Sequence, residues 1–190
     1  MTVLAFTVTF HGPFRVGAAY AKDGVNAALD HDDPLPADHL KGVMRAAAAQ
    51  LLGGRGHPAI SAVFGSPKAP SAWSWSHADA EWDFSRRHRV KIDAMSHSAV
   101  KDHLVVAEQA WAPEARFTVT KAGLIAPDGG ITEAAHVSLL RCAAAGVHGL
   151  GGWRRRGLGW VGIAPQDGPV TAGDIEVIQG LTREAEGARQ

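Results

Sequence analysis

The spacing of apolar residues changes along the chain and divides it into predicted strands and helices. Residues 3 to 10 are rich in the β-branched residues Val and Thr and stop at His11-Gly12-Pro13, which predicts a first strand and a turn. A helix follows, for which we expect Asp38 as the N-cap and Gly53-Gly54 as the end. Its buried face is predicted from apolar residues three and four apart, namely Leu40, Val43, Met44, Ala47 and Leu51.

The second half of the chain shows the same two spacings of apolar residues, one typical of strands and one typical of helices. Strand-like segments occupy residues 89–93, 104–111 and 116–125. Thr132 is placed to cap a second helix, with Leu139, Leu140, Ala143, Ala144 and Val147 on its apolar face. A strand over 158–163 and a short helix over about 174–186 complete the prediction.

Two stretches lack a clear period. Residues 14–36 form a long polar connection, and loops of that length inside a domain are often functional. Residues 54–85 contain several prolines and are predicted to be an irregular insertion or a small hairpin. We expect its tryptophans to pack against protein rather than against bases: Trp73, Trp75 and Trp82.

The order of elements predicts the fold class. Strand, helix, strands, helix and strand in succession indicate an α+β domain with a ferredoxin-like (RRM-like) βαββαβ core and inserted loops. With 190 residues and 46% hydrophobic residues, the chain is expected to form one domain over residues 1–190.

The overall charge limits how the chain can bind nucleic acid. Nineteen Lys and Arg balance nineteen Asp and Glu, so no net positive charge attracts a polyanion. Any contact with RNA or DNA must be local or shared among several subunits. The single cysteine, Cys142, excludes an internal disulfide and is predicted to be a core residue. Without an apolar run long enough for a membrane span or a signal peptide, we expect a cytoplasmic protein with no membrane partner.

The segment from Gly151 to Val161 is the strongest chemical signal. Four glycines surround Arg154, Arg155 and Arg156, just before a predicted strand. Glycine allows close backbone approach, and guanidinium groups match phosphate oxygens in geometry and charge. A polyanion is the expected partner. A second basic cluster runs from Arg86 to Lys91.

Five segments, in order, resemble motifs of the RAMP superfamily of CRISPR effector proteins, in particular the small backbone subunits of type III complexes. The first is Pro36-Ala-Asp-His-Leu-Lys-Gly-Val-Met-Arg45, similar to the family's Lys-Gly motif at the start of the first helix. The others are Val63-Phe64-Gly65, Arg89-Val-Lys-Ile-Asp93, the stretch from Glu108 to Phe117, and the glycine-rich loop from Leu150 to Val161.

This resemblance implies an RNA-binding site built from the Lys-Gly motif and the glycine-rich loop. Asp38 and His39 stand where the family usually has two serines. A nearby helix N-terminus with free N–H groups favours phosphate binding beside the motif. Arg156, before Gly157-Leu158-Gly159, matches the family's retained arginine. The predicted RNA-binding residues are His39, Lys41, Arg45, Gly151, Gly152, Arg154, Arg155, Arg156 and Gly157.

The resemblance also raises the question of RNA cleavage. Family members that cut target RNA use an Asp in the connection after the first strand. Asp23 and Asp30 are the candidate catalytic residues here, and Asn26 lies near the position where that Asp is expected. A divalent ion such as Mg²⁺, held by an aspartate and the RNA phosphates, is the simplest mechanism if cleavage occurs. The acidic run from Asp30 to Asp33 is otherwise a solvated loop with no predicted metal site.

Three functions follow from these observations. The first is a guide-RNA-binding backbone subunit of a type III-like CRISPR ribonucleoprotein in antiviral defence, with target RNA and other RAMP-type subunits as further partners. The second is a RAMP-fold endoribonuclease that cuts target RNA or processes guide RNA, with His11 and His39 near the expected RNA face. The third is a protein-interaction domain that acts only in assembly.

Overall fold

The computed structural model describes residues 1–18, 20, 22–125 and 131–187. Within these ranges the secondary structure consists of six strands and four α-helices. In chain order they are β1 (Val3–Phe10), α1 (Ala37–Leu51), α2 (Pro58–Phe64), β2 (Trp73–Trp75), β3 (Asp83–Arg89), β4 (Val105–Trp111), β5 (Glu114–Lys121), α3 (Glu133–Ala145), β6 (Val161–Pro165) and α4 (Ala172–Gly187).

Four strands form an antiparallel sheet in the order β2-β5-β1-β6. Helix α1 lies in the connection from β1 to β2, and α3 lies in the connection from β5 to β6. Alternate β1 side chains are buried toward the core, among them Phe6 and Val8, while the intervening Thr7 and Thr9 are more exposed. Antiparallel strands with packed helices confirm the predicted α+β class.

The other two strands make a separate hairpin, β3–β4, which carries the basic cluster. The long connection from residue 14 to residue 36 runs beside this hairpin. The Phe14 N–H donates to the Ala110 carbonyl at 2.8 Å, and the Asn26 N–H donates to the Val106 carbonyl at 2.9 Å. The connection therefore packs along β4, and Leu29 and Leu35 within it are fully buried.

The predicted start of α1 and the strand at 89–93 need correction. Helix α1 begins at Ala37 with Pro36 as the N-cap, so Asp38 lies in the first turn rather than at the cap. Proline fixes φ near the value required there, and its carbonyl accepts the first helical hydrogen bonds. Strand β3 occupies residues 83–89 instead of 89–93. Its side chains are exposed on both faces, so it has no alternation for a sequence pattern to detect.

The predicted irregular insertion also contains regular structure. Helix α2 has a proline in its first turn and a cap in which His57 Nδ1 accepts the Ala59 N–H. Strand β2 is an edge strand of the main sheet, with Trp73 and Trp75 buried. The expectation that these tryptophans pack against protein is confirmed, whereas the loop assignment is wrong.

The remaining predicted elements are present, some with shifted bounds. The strand predicted over 116–125 is β5 (Glu114–Lys121), and that predicted over 158–163 is β6 (Val161–Pro165). Leu51, predicted on the buried face of the first helix, is exposed. The first strand spans the predicted residues, and the Thr132 hydroxyl accepts the Ala135 N–H at the start of α3. Helix α4 extends beyond the predicted 174–186 at its start and includes Gly187; residues 188–190 lie outside the described ranges. Cys142 is buried, as predicted for a core residue.

Candidate nucleic-acid interface

Backbone hydrogen bonds fix the glycine-rich loop, Leu150 to Val161, against the segment from Pro13 to Arg15. The Gly159 N–H donates to the Pro13 carbonyl at 2.8 Å, and the Gly152 N–H donates to the Arg15 carbonyl at 2.7 Å. Within the loop, the Leu150 N–H donates to the Gly159 carbonyl at 2.9 Å. These bonds hold the two ends of the loop together and leave its centre projecting.

Two glycines are required by close approach of backbone. Gly151 has φ +73°, and a Cβ there would lie 2.3 Å from the Arg15 carbonyl oxygen. Gly159 has φ +74°, and a Cβ would lie 2.0 Å from the Leu150 carbonyl oxygen. No L side chain fits either contact without moving the backbone. The predicted role of glycine in close approach therefore applies here to the protein's own chain.

The three arginines form a single 3₁₀ turn, Arg154–Arg156, and all three are exposed. Such a turn has three residues per revolution, so neighbouring side chains point in different directions while residues three apart eclipse. Trp153 and Arg156 are three apart, and the Arg156 guanidinium lies 5.7 Å from the centre of the Trp153 ring. Arg156 is thereby held beside an indole.

Two further arginines approach the same indole. The guanidinium of Arg15 lies 5.3 Å from the Trp153 ring centre, and that of Arg89 lies 5.2 Å from it. We call Trp153 with Arg15, Arg89 and Arg156 the Trp153 cluster. Cation–π attraction offsets part of the repulsion between the three charges. The cluster joins the glycine-rich loop to the end of β3.

The arginines of this cluster differ in their partners. Arg15 is anchored, since its side chain donates to the Ala28 carbonyl at 2.9 Å and the Glu108 carbonyl at 3.3 Å. Burial lowers the pKa of Arg15, which the nearby Glu108 carboxylate partly opposes. Within the described part of the chain, Arg89 and Arg156 form no ion pair with a carboxylate. They leave positive charge available to an anion.

Two open grooves flank Trp153. The first groove is lined by His148, Gly149, Trp153, Arg154, Arg155, Arg156 and Trp160. The second groove is lined by Asn26, Arg89, Val90, Lys91, Asp102, His103, Leu104, Val105, Trp153 and Arg156. Trp153 and Arg156 border both, so the grooves meet at the Trp153 cluster. Together they form a surface that is rich in arginine and aromatic groups.

His39 contributes to this surface as a support. Its Nε2 accepts the Gly151 N–H at 2.8 Å, which only a neutral imidazole can do. Burial lowers the pKa of His39, and the neighbouring Arg154 lowers it further. The structure thus uses His39 to hold the glycine-rich loop on the first turn of α1.

The predicted residues Lys41 and Arg45 lie on another face of α1. The Lys41 ammonium is 5.2 Å from the centre of the Trp75 ring, beside the edge strand β2. The α1 residues that line a groove together with Arg154 are instead Gly42, Val43, Ala46, Ala47 and Gln50. Arg45 is four residues from Lys41 and shares its face. The structure does not bring this pair together with the arginine turn.

The candidate catalytic aspartates do not assemble a metal site in the structure. Asp23 is exposed, in the turn between Lys22 and Val25. The Asp30 carboxylate accepts the backbone N–H groups of Asp32 and Asp33 at 3.0 and 3.4 Å. No group of three or more His, Cys, Asp or Glu suited to a metal occurs in the described ranges. These residues do not by themselves fit Mg²⁺, and cleavage by Asp23 or Asp30 stays a prediction.

Asn26 is the residue of the 20–36 connection that borders the second groove. Its side-chain oxygen accepts the Val106 N–H at 2.8 Å, which fixes it on β4. The described position of this segment that lines the groove with Arg89 and Arg156 therefore carries a neutral amide. An amide positions ligands by hydrogen bonding but supplies no carboxylate for metal or base chemistry.

Sequence reasoning missed the buried residue that organises this connection. Glu108 is 3% exposed, and its carboxylate accepts from Lys22 at 2.7 Å and from the Leu29 N–H at 3.2 Å. Burial alone would raise the pKa of Glu108, but these hydrogen bonds and the charges of Lys22 and His31 lower it. An ionised Glu108 thus holds the connection on β4. The available signal was a single acidic residue between the small apolar residues of a strand.

Of the Trp153 cluster, the predicted site contained only Arg156. It did not include Trp153, Arg15, Arg89 or the nearby Trp160. The basic run from Arg86 to Lys91 was recognised, but its proximity to the glycine-rich loop depends on tertiary packing. Trp153 was visible as an aromatic residue inside a glycine-rich loop. Its left-handed backbone, with φ 57°, is known only from the structure.

The chain matches no family model and no curated protein sequence. Among solved structures it is similar to a chain in the cryo-EM structure of the type III-B Cmr-beta bound to cognate target RNA. The TM-score is 0.58 at 15% sequence identity, and the match covers 85% of this chain and 58% of that one. The chain thus spans less than two thirds of the length of that relative. The likeness shows a shared fold.

None of the described helices has both the length and the apolar content needed to span a bilayer.

Proposed function

We propose that this chain is a guide-RNA-binding backbone subunit of a type III-like CRISPR ribonucleoprotein in antiviral defence. In this proposal it belongs to the RAMP superfamily and contacts guide RNA, target RNA and other RAMP-type subunits. The glycine-rich loop and the basic end of the β3–β4 hairpin form its RNA surface.

The Trp153 cluster is the observation that carries the proposal. Three guanidinium groups from separate segments converge on one indole, and two of them have no carboxylate partner in the described ranges. Bringing positive guanidinium groups together without a neighbouring carboxylate is unfavourable unless a bound anion neutralises them. A phosphate backbone supplies such charges at regular spacing, and arginine binds them with two hydrogen bonds.

The arrangement of the main sheet supports the same proposal. The order β2-β5-β1-β6, with α1 and α3 in the two crossing connections, is the order expected of a ferredoxin-like βαββαβ unit. The shared fold with a chain of the type III-B Cmr-beta is a further support. A fold alone does not determine a function, so the basic surface remains the main argument.

Zero net charge favours a subunit over a free-standing RNA binder. An isolated binder needs a basic excess, whereas a subunit that neutralises only a few phosphates gains affinity when several copies line one RNA. Sequence readout would then be left to base pairing between guide and target.

The test is to co-express the tagged chain with its genomic neighbours and a repeat–spacer array and to sequence the copurified RNA. We expect repeat-tagged RNA of defined length, and we expect Arg89→Ala/Arg156→Ala to reduce its yield at moderate salt. The matched control is Arg183→Ala, which removes an exposed arginine from α4.

Each outcome separates the candidate functions. RNA lost equally in the Arg183→Ala control would show that the groove arginines have no specific role. An intact protein complex without any nucleic acid would contradict the proposal and favour a domain that acts only in assembly.

A further inference from the structure

Trp160 is an aromatic side chain that the fold leaves uncovered. It is 65% exposed, more than any other Trp, Tyr or Phe in the ranges that the structure describes. Val161, the next residue, is 3% exposed and begins β6. Because side chains alternate along a strand, Trp160 lies on the face opposite to the buried core.

The backbone that carries this indole is rigid. The Trp160 carbonyl accepts the His11 N–H at 2.9 Å, and Gly149 and Trp160 form a bridge between the two ends of the loop. Gly159, on the other side, is fixed by its contact with Leu150. An aromatic group presented from a fixed backbone loses little conformational entropy when it binds.

The surroundings of Trp160 are cationic. It lines the first groove with Arg154, Arg155, Arg156 and His148. A partner that fits this groove must offer both a flat apolar face and negative charge. A nucleotide has both, since its base can stack on an indole while its phosphates reach the guanidinium groups.

We propose that Trp160 is a stacking platform for an unpaired base of the RNA bound at the glycine-rich loop. The inference rests on the proposed function and extends it, because it assigns a base contact to a site otherwise argued from phosphates. Stacking is tolerant of base identity. Stacking on the indole requires an accessible base face. A base pair inside a duplex does not present one, because its faces are covered by the neighbouring pairs. The site therefore prefers single-stranded RNA to duplex RNA.

The test compares variants of the full chain in binding to a fluorescent single-stranded RNA and to its duplex. We expect Trp160→Ala to weaken single-strand binding by about 5- to 150-fold, the range for loss of one stacked base. Trp160→Phe should retain most of the affinity, because phenylalanine keeps a π face. Duplex binding should be unchanged in both variants.

Controls separate stacking from other roles of the tryptophan. Trp111→Ala removes another partly exposed tryptophan, on β4, and should leave single-strand affinity unchanged. The salt dependence of binding should be the same in Trp160→Ala and wild type, because no phosphate contact is removed. Urea unfolding of each variant confirms that it is folded.

The results distinguish failure of this inference from failure of the proposed function. If wild type binds RNA through its arginines but Trp160→Ala binds single strands equally well, the stacking platform is wrong and the phosphate site stands. If the Trp160→Ala variant keeps its RNA affinity but no longer copurifies with another protein subunit, the indole is a protein contact. If wild type binds neither RNA, the proposed function itself fails.

Discussion

At the scale of the residue, two glycines of the glycine-rich loop have similar backbone conformations but different structural roles. Gly157 and Gly159 both have positive φ, near +79° and +74°. A Cβ at Gly157 meets nothing within 4 Å, whereas one at Gly159 meets the Leu150 carbonyl. Only Gly159 is required by packing as well as by backbone conformation.

This difference predicts unequal effects of alanine. Gly157→Ala should lower the free energy of unfolding by roughly 1–2 kcal/mol, the cost of a left-handed conformation. Gly159→Ala adds a backbone clash and should exceed about 3 kcal/mol, the upper range for ordinary substitutions. Urea denaturation of both variants measures the difference. Equal losses would show that the loop relaxes freely around Leu150.

Individual residues of the site were only partly predictable from sequence. Arg156 and Gly151 were identified because glycine and arginine in a short loop indicate their chemistry directly. His39 was predicted as an RNA contact, but the acceptor role of its Nε2 follows from a neighbour 112 residues away. Arg15 gave no local signal. Glu108 was visible as an acidic residue within a strand, but its role was not, since its partners Lys22 and Leu29 are distant in the chain.

At the scale of the element, the docking of the loop on α1 depends on the protonation of His39. The Gly151 N–H needs a neutral acceptor, and burial followed by the charge of Arg154 lowers the pKa of His39 below its ordinary 6.5. The unfolded chain therefore takes up this proton first as the pH falls. The stability that the neutral imidazole contributes is complete above pH 6.5 and declines from there toward the lowered pKa.

We expect the wild-type free energy of unfolding to fall more than that of His39→Gln between pH 7.5 and pH 5.5. Glutamine keeps an acceptor oxygen for Gly151 but does not titrate in this range. The comparison isolates His39 from the other nine histidines, which both proteins share. His39→Ala, which leaves the Gly151 N–H without its acceptor, should cost about 1–3 kcal/mol at pH 7.5 and less at pH 5.5, where wild type has itself lost part of this contribution. Parallel pH profiles for wild type and His39→Gln would contradict this role.

Elements with a strong internal period were predicted well, and those shaped by tertiary contacts were not. Strand β1 shows regular apolar alternation because it buries one face. Helix α3 is buried at every residue from 138 to 144, and it was found from its apolar content and its Thr132 cap. Strand β3 is exposed on both faces, and β2 has only three residues, so neither produces a period. The adjacency of the hairpin and the glycine-rich loop, which creates the Trp153 cluster, depends on Arg15 and Asn26 holding the long connection between them.

At the scale of the whole molecule, positive charge is concentrated on one surface although the net charge is zero. The arginine turn and residues 89–91, at the end of β3, border adjoining grooves. Asp102 lines the second groove, and carboxylates outside the two grooves supply the rest of the balancing negative charge. Screening limits their influence to about 8–10 Å at physiological salt, so binding depends on the local surface rather than on the total charge.

This distribution predicts how binding of a single-stranded RNA varies with salt. Replacing Arg154, Arg155 and Arg156 by alanine should weaken the dependence of log affinity on log salt by about 2, because each phosphate contact on a single strand contributes roughly 0.7. Titrations by fluorescence anisotropy from about 50 to 200 mM salt cover the range over which such contacts weaken. Arg183→Ala, on α4, should leave the slope unchanged. A slope that stays the same in the triple variant would place the phosphate contacts outside the arginine turn and contradict its role in binding.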